Sequence, residues 1–214
     1  MKDYVRKNPE ILLLLYLPVY LVWFMLAEHF ITADYYVSYM PLDDIIPFVP
    51  QFVVAYVLWY PFILMPIPYL YKNDRGAYVR YGVYLIIGLS VSLAVCCFFP
   101  NGQELRPADT GEGIFARLVD ILYAADTNTN VLPSMHVVTT IGTVMAFWDC
   151  RKLRKLCIPA AALAALICAS TVFIKQHSFL DVIWGAALAA VVGAAVYGAP
   201  QLKKMGTKSC GGES

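Results

Sequence analysis

Long apolar runs dominate this chain, and strict apolar–polar alternation is rare. Six runs approach the roughly 20 apolar residues that a membrane-crossing helix needs. They lie at 11–26, 51–70, 79–99, 133–148, 156–174 and 179–197. Lys2, Arg6 and Lys7 precede the first run, but no small-residue cleavage site follows it, so it reads as a retained span and not a leader. Pro61, Pro66 and Pro68 fall in the second run and predict a kink or break in its last turns.

The stretches between the runs differ in kind. Residues 28–50 mix Asp34, Asp43 and Asp44 with Tyr35, Tyr36, Tyr39 and Phe48, which suggests a segment lying at a membrane interface. Residues 100–131 are the longest polar stretch. Within them Ile114, Leu118, Ile121, Leu122 and Ala125 keep helical spacing and predict a short interfacial helix over 114–125. From Gln201 the chain is polar and Gly-rich, as disordered tails are. The expected architecture is all-α: one six-span membrane domain over 1–200 with interfacial helices in its loops, then a polar tail over 201–214.

Composition agrees. Of 214 residues, 60% are hydrophobic and 14% charged, against about half and a quarter in an average soluble domain. With the N-terminus in the cytoplasm and six crossings, 13 of the 16 basic residues fall on the cytoplasmic side. That asymmetry is the positive-inside pattern. It predicts a multi-pass protein of the cell membrane with both termini cytoplasmic. Only Arg106, Arg117 and Lys175 remain on the far side. No basic patch interleaved with aromatics supports a nucleic-acid partner. The six cysteines contain no CxxC pair and read as small buried hydrophobes.

The far side gathers the candidate chemistry. Pro133-Ser134-Met135-His136 opens the fourth run. Proline suits a first helical turn, and the free N–H groups behind it form an anion site to which Ser134 can add its hydroxyl. His177 and Asp181 are four apart, so on a helix they share a face. A carboxylate on one ring nitrogen makes the other nitrogen a better nucleophile. His177 is therefore the expected nucleophile, Asp181 its orienter and His136 the general acid. Arg106, Lys175 and Ser134 are expected to neutralise phosphoryl oxygens. Asp126, Asn128 and Asn130 run into the Pro-Ser stretch as turn formers, and Asn130 is a candidate head-group contact.

These residues resemble the type-2 phosphatidic acid phosphatase superfamily, which includes the lipid phosphate phosphatases. That family carries a Lys followed by Arg-Pro, then Pro-Ser-x-His, then Ser-Arg with His and, four later, Asp. Here the second motif is Pro133–His136, the third spans Ser170–Asp181, and the first survives as Arg106-Pro107. The resemblance implies a six-span fold, an extracytoplasmic site, a phosphohistidine intermediate and no metal or other cofactor. Two family cations are absent, since their positions hold Phe99 and Thr171; Lys175, one helical turn past Thr171, is the expected replacement. Loss of the third-motif arginine also resembles the inositol phosphorylceramide and sphingomyelin synthases, which transfer head groups. The expected function is hydrolysis of a lipid phosphate or pyrophosphate, with transfer to an alcohol as the alternative. Three other readings compete for the same residues. The same three residues have the types of a zinc ligand set. Ser134 lacks the Gly-x-Ser-x-Gly elbow of a serine hydrolase. A dead member serving as a transporter or scaffold would have no reason to keep nucleophile, orienter and acid together.

Overall fold

The computed structural model describes residues 6–30 and 34–198. The expected polar tail over 201–214 lies outside the described residues, as do Lys2 and Cys210. A 3-10 segment, Pro9–Leu15, leads into α1 (Tyr16–Phe30). The second run is a 3-10 turn (Pro50–Phe52) followed by α3 (Val53–Val57), α4 (Trp59–Leu64) and α5 (Pro66–Asn73), with the short helix α2 (Leu42–Ile45) before it. Pro61 and Pro68 have no N–H to offer the carbonyls of Val57 and Leu64, and the helix is interrupted directly after each of those residues. The first interruption therefore comes earlier than the last turns. Leu58 and Met65 keep right-handed helical dihedrals, so 50–73 remains one membrane-length stretch.

Asp74 caps α6 (Arg75–Phe98) by accepting from Ala77 N at 2.9 Å. The polar stretch contains α7 (Ile114–Ala125), with the boundaries its periodicity predicts. Then come α8 (Met135–Asp149), α9 (Cys157–Phe173) and α10 (Phe179–Gly198). The described residues are all-α apart from one two-residue parallel pairing, β1 (Tyr36–Val37) with β2 (Asn101–Gly102), to which Thr129 adds a single bridge. Gly102 is required there: a Cβ would lie 2.6 Å from the Tyr35 ring and 2.9 Å from Asn128 O.

Helix α8 is the centre, packed against α6, α9 and α10. Small residues set its close approaches. A Cβ on Gly142 would sit 1.9 Å from the Tyr84 ring of α6, and one on Gly193 of α10 would sit 2.6 Å from the Met145 sulfur. Two hydrogen bonds tie it to α6: Tyr81 OH with Thr143 Oγ1 at 2.7 Å, and Tyr84 OH to Val138 O at 2.9 Å. Arg80 and Asp149 pair at 2.6 Å at its far end. Among the described residues five helical stretches are long and apolar enough to cross a membrane: Pro9–Phe30, Pro50–Asn73, Arg75–Phe98, Arg154–Phe173 and Phe179–Gly198. The expected sixth, α8, has only 15 residues, or about 22 Å at 1.5 Å per residue, short of the roughly 30 Å of hydrocarbon. Cys96, Cys150 and Cys157 are buried thiols, and Cys97 and Cys168 are half-buried.

Candidate active site

Two helix starts and one helix end build the site. Ser134 is the N-cap of α8, its Oγ accepting from Val137 N at 3.4 Å. Pro133 thus precedes the cap and is not in the first helical turn, as the sequence pattern had suggested. His136 lies in the first turn, its ring packed between Tyr56 (centroids 4.7 Å apart) and Trp59 (4.4 Å). Trp59 is fixed in turn by donating Nε1–H to Thr139 Oγ1 at 2.9 Å.

The other histidine comes from the turn between α9 and α10. Lys175 takes a left-handed conformation, φ 54°, and Gln176 N and His177 N both return to Thr171 O, at 2.9 and 3.1 Å. This closes α9 in the manner of a left-handed C-terminal cap and turns His177 inward. His177 precedes α10, so it does not share a helical face with Asp181; the capping turn brings them together instead. His177 Nδ1 lies 3.2 Å from Asp181 Oδ2, and His177 Nε2 lies 3.2 Å from His136 Nδ1. Asp181 is fully buried. Its Oδ2 also accepts from Ser178 N at 2.9 Å, and its Oδ1 accepts the hydroxyl of Ser38. With a carboxylate on Nδ1, the proton of His177 belongs there and Nε2 keeps its lone pair.

A second carboxylate locks this turn. Asp43, 1% exposed, accepts from Ser178 Oγ at 2.5 Å, Phe179 N at 2.8 Å and Met40 N at 2.9 Å. The sequence pattern places Asp43 only within an interfacial segment; Asp44 and His29 are exposed there, but Asp43 is not. Asp43 and Ser38 come from the 28–50 segment, which carries no motif spacing relative to α10. Only proximity in the fold reveals them.

The imidazoles open onto a cavity of about 220 Å³, walled by His136, His177, Gln176, Asp126, Asn130 and Met135 and by the rings of Tyr20, Phe24, Trp59 and Tyr60. Leu21 and Tyr60 on this wall are exposed on the bundle surface. The cavity therefore opens sideways between α1 and α4.

The predicted cations are elsewhere. Lys175 Nζ donates to Asp43 O at 2.7 Å and Ile46 O at 2.6 Å. Since α9 ends at Phe173 and Lys175 is left-handed, it does not continue the helical face of Thr171, and the substitution expected for the missing arginine has no geometric basis. Arg106 donates to Asp126 O (2.8 Å), Thr127 O (2.6 Å) and Gln176 Oε1 (2.5 Å), with its guanidinium over the Tyr123 ring. Among the described residues lining the cavity are neither Arg106, Lys175, Ser134 nor Pro133. Burial lowers the pKa of both cations, while Asp126 opposes this at Arg106 and Asp43 opposes it at Lys175.

Asn130 does reach the cavity. It has φ 58°, and its Nδ2 donates to Glu28 Oε1 at 2.5 Å and to Thr129 Oγ1 at 3.2 Å. A carboxylate only accepts, so the amide orientation is fixed. Beside it Asp126 accepts from Gln176 Nε2 at 3.2 Å. Burial, and then Glu28, push the Asp126 carboxyl up to about 6. Among the described residues no group of three or more His, Cys, Asp or Glu is arranged to hold a metal ion; the imidazoles and Asp181 bond to one another in a line and do not converge on a point.

An all-helical bundle with membrane-length helices thus surrounds the His–His–Asp line. The family model of the PAP2 superfamily matches residues 21–205, and the chain belongs to that superfamily. It is accordingly an enzyme of the phosphatase or phosphotransferase type acting on phosphate esters. Comparison with curated proteins and with solved structures returns no match.

Proposed function

We propose that the chain is an integral membrane enzyme that cleaves a lipid phosphate or pyrophosphate through a phosphohistidine on His177. The Asp181–His177–His136 line carries this reading. Asp181 holds the proton on Nδ1 and leaves Nε2 as the nucleophile. At rest His136 Nδ1–H donates to that same lone pair, so the substrate phosphorus must insert between the rings. Nε2 then bonds phosphorus while the bond from phosphorus to the lipid oxygen breaks. His136, made an imidazolium by a proton that enters with the anionic head group, gives its Nδ1 proton to that oxygen and is left neutral. A water attacks the phosphohistidine, returns a proton to His136 and releases phosphate. The lateral mouth lets the acyl chains stay in the bilayer while the head group enters. In this reading residues 1–200 are one domain in which α8 and the turns at its ends complete a sixth crossing. The tail over 201–214 and the N-terminus face the cytoplasm of a cell-membrane protein, and the site faces outward, as the basic residues favour.

The test uses purified protein in detergent. Wild type should release phosphate from phosphatidic acid or a polyprenyl pyrophosphate, and His177→Ala should release none. Undiminished release by a folded His177→Ala protein would refute the assignment.

A second reading is supported by the bonding of Arg106 and Lys175. With Lys175 Nζ and the terminal nitrogens of Arg106 committed to protein oxygens, the cavity is better matched to a phosphodiester, which carries one charge, than to a dianionic monoester. Head-group transfer to an alcohol would use the same phosphohistidine. Addition of an alcohol such as inositol should then increase turnover of a diester lipid.

A further inference from the structure

The imidazole of His136 is held between two larger rings that local spacing places there. Tyr56 and Trp59 are three apart across Leu58, which keeps right-handed helical dihedrals, so both side chains project from one face. Their centroids lie 4.7 and 4.4 Å from that of the imidazole. Tyr56 is buried and Trp59 half-buried. Thr139, three residues past His136 on α8, fixes the Trp59 ring. Its hydroxyl accepts from Trp59 Nε1 at 2.9 Å and donates to Met135 O at 2.8 Å. An imidazole clasped in this way cannot flip without displacing both neighbours. Its Nδ1 stays 3.2 Å from His177 Nε2, and its Nε2 has no bonding partner among the described residues. No carboxylate is bonded to His136, because Asp181 bonds His177 instead. The other titratable groups on the cavity wall are His177, Asp126, Tyr20 and Tyr60, and Arg106 stands behind that wall, bonded to Gln176. Aromatic rings, tryptophan above all, attract a cation within about 6 Å of the ring centroid, and both rings lie inside that range of His136.

We propose that Tyr56 and Trp59 are positioning residues for the acid step: an aromatic clamp that stabilises the imidazolium of His136 and fixes which of its nitrogens faces the leaving oxygen. The proposal rests on the phosphohistidine reading above. A proton arriving with the substrate through cavity water is taken up at His136 Nε2. The bond from phosphorus to the lipid oxygen breaks as the bond to His177 Nε2 forms, and the His136 Nδ1 proton passes to that oxygen. The neutral ring then carries its one proton on Nε2. In the second half a water oxygen bonds phosphorus as the bond to His177 Nε2 breaks, and the proton of that water goes to His136 Nδ1. The Nε2 proton returns to the cavity water and restores the resting tautomer. Protons enter and leave by one nitrogen and react at the other, so the clasped ring completes the cycle without turning.

The experiment compares two phosphate esters cleaved by the full chain in detergent, one of a long-chain alkanol and one of a nitrophenol bearing the same chain. An alkoxide needs a proton to leave, whereas a nitrophenolate does not. Release of the alcohol or phenol is followed in a single turnover, and phosphohistidine is trapped from the same samples. Trp59→Leu should slow the alkyl ester about tenfold relative to the nitrophenyl ester, the scale of a partly desolvated cation–ring contact. Tyr56→Leu should act in the same direction, and Trp59→Phe should recover most of the loss. In the leucine variants the alkaline limb of the alkyl-ester profile should move to lower pH by about one unit, the equivalent of that tenfold; Asp126→Asn in parallel identifies any limb that belongs to the carboxyl. If the leucine variants do not fold, fluorinated tryptophans at position 59 keep the shape of the ring and weaken its attraction for a cation, and the alkyl-ester rate should fall with each added fluorine. Equal losses on the two esters, no loss on either, or a flat fluorination series would overturn the clamp. A leaving-group-selective loss without any phosphohistidine would refute the phosphohistidine reading and leave the clamp standing. Phosphohistidine formation with equal losses on both esters would do the reverse.

Discussion

Replacing Asp43 by Asn tests whether the 28–50 segment positions the nucleophile. The substitution keeps volume and removes a charge. One Asp43 oxygen accepts from Phe179 N, and the other accepts from Met40 N and Ser178 Oγ. Whichever way the new amide lies, its NH2 meets a backbone N–H. The first orientation orphans Phe179 N, at the start of α10; the second orphans Met40 N and displaces Ser178. A hydrogen bond to a charged acceptor is worth about 1.5–3 kcal/mol, so the variant should lose about that much stability. The same loss reaches the chemistry. Ser178 is held by Asp43 through its hydroxyl and holds Asp181 through its N–H, and Asp181 fixes the His177 ring. At about 1.4 kcal/mol per tenfold, misplacing that carboxylate by one such bond lowers kcat by about 10- to 100-fold. Asp43 does not line the cavity, so KM should stay within about threefold.

The assay is phosphate release at varied substrate, with a single-turnover measurement of His177 phosphorylation and a thermal melt of the same preparation. A purely structural role predicts fewer active molecules with normal chemistry, hence an unchanged phosphorylation rate per folded enzyme. A positioning role predicts a slowed rate. A stable Asp43→Asn protein that phosphorylates His177 at the wild-type rate would refute the chain of contacts drawn here.

Lys175→Ala should leave KM unchanged and lower stability, since each carbonyl it orphans, on Asp43 and Ile46, costs about 1–3 kcal/mol; a tenfold rise in KM with an unaltered melt would return Lys175 to the phosphate. Asp126, with its pKa pushed up to about 6, binds its proton more tightly in the native state than in the unfolded chain, where about 3.9 applies. Stability should therefore fall by about 1–2 kcal/mol as pH rises from about 4 to about 6 and level off above that, a slope that Asp126→Asn should remove when melts are compared across pH. Gly142→Ala places a methyl group 1.9 Å from the Tyr84 ring and should destabilise by about 1–3 kcal/mol or more through overpacking; a melt equal to wild type would contradict the tight α6–α8 contact.

Much of this molecule was legible in its sequence because the signals were local or periodic. Apolar runs gave the helices, Ile114–Ala125 kept a 3.6-residue repeat, and His136, His177 and Asp181 stood in recognisable spacings. The departures at the charged residues have one physical origin. Charged residues were assigned to an anion by their type, whereas Arg106 and Lys175 are bonded to backbone carbonyls of the polar loops. A carbonyl has no sequence signature, so such a partner is invisible in the sequence. The same blindness hid Asp43, whose partners are two backbone N–H groups and a hydroxyl.

That blindness also explains why the loops are so polar. Outside regular helices each buried N–H and C=O still needs a partner. Asn101 alone satisfies four backbone groups, accepting from Val131 N and Leu132 N and donating to Phe99 O and Leu132 O. Gln103 bridges Leu105 N and Lys175 O. A platform of this sort ties β1, β2, the 128–132 stretch and the α9–α10 turn into one rigid body above the helix ends. The polar side chains of these loops are then mainly scaffold, and the groups left over stand out by lacking a partner. By that criterion Asn130 Oδ1 and Arg106 Nε, both buried and without a partner, are the two groups beside the cavity that the scaffold does not use.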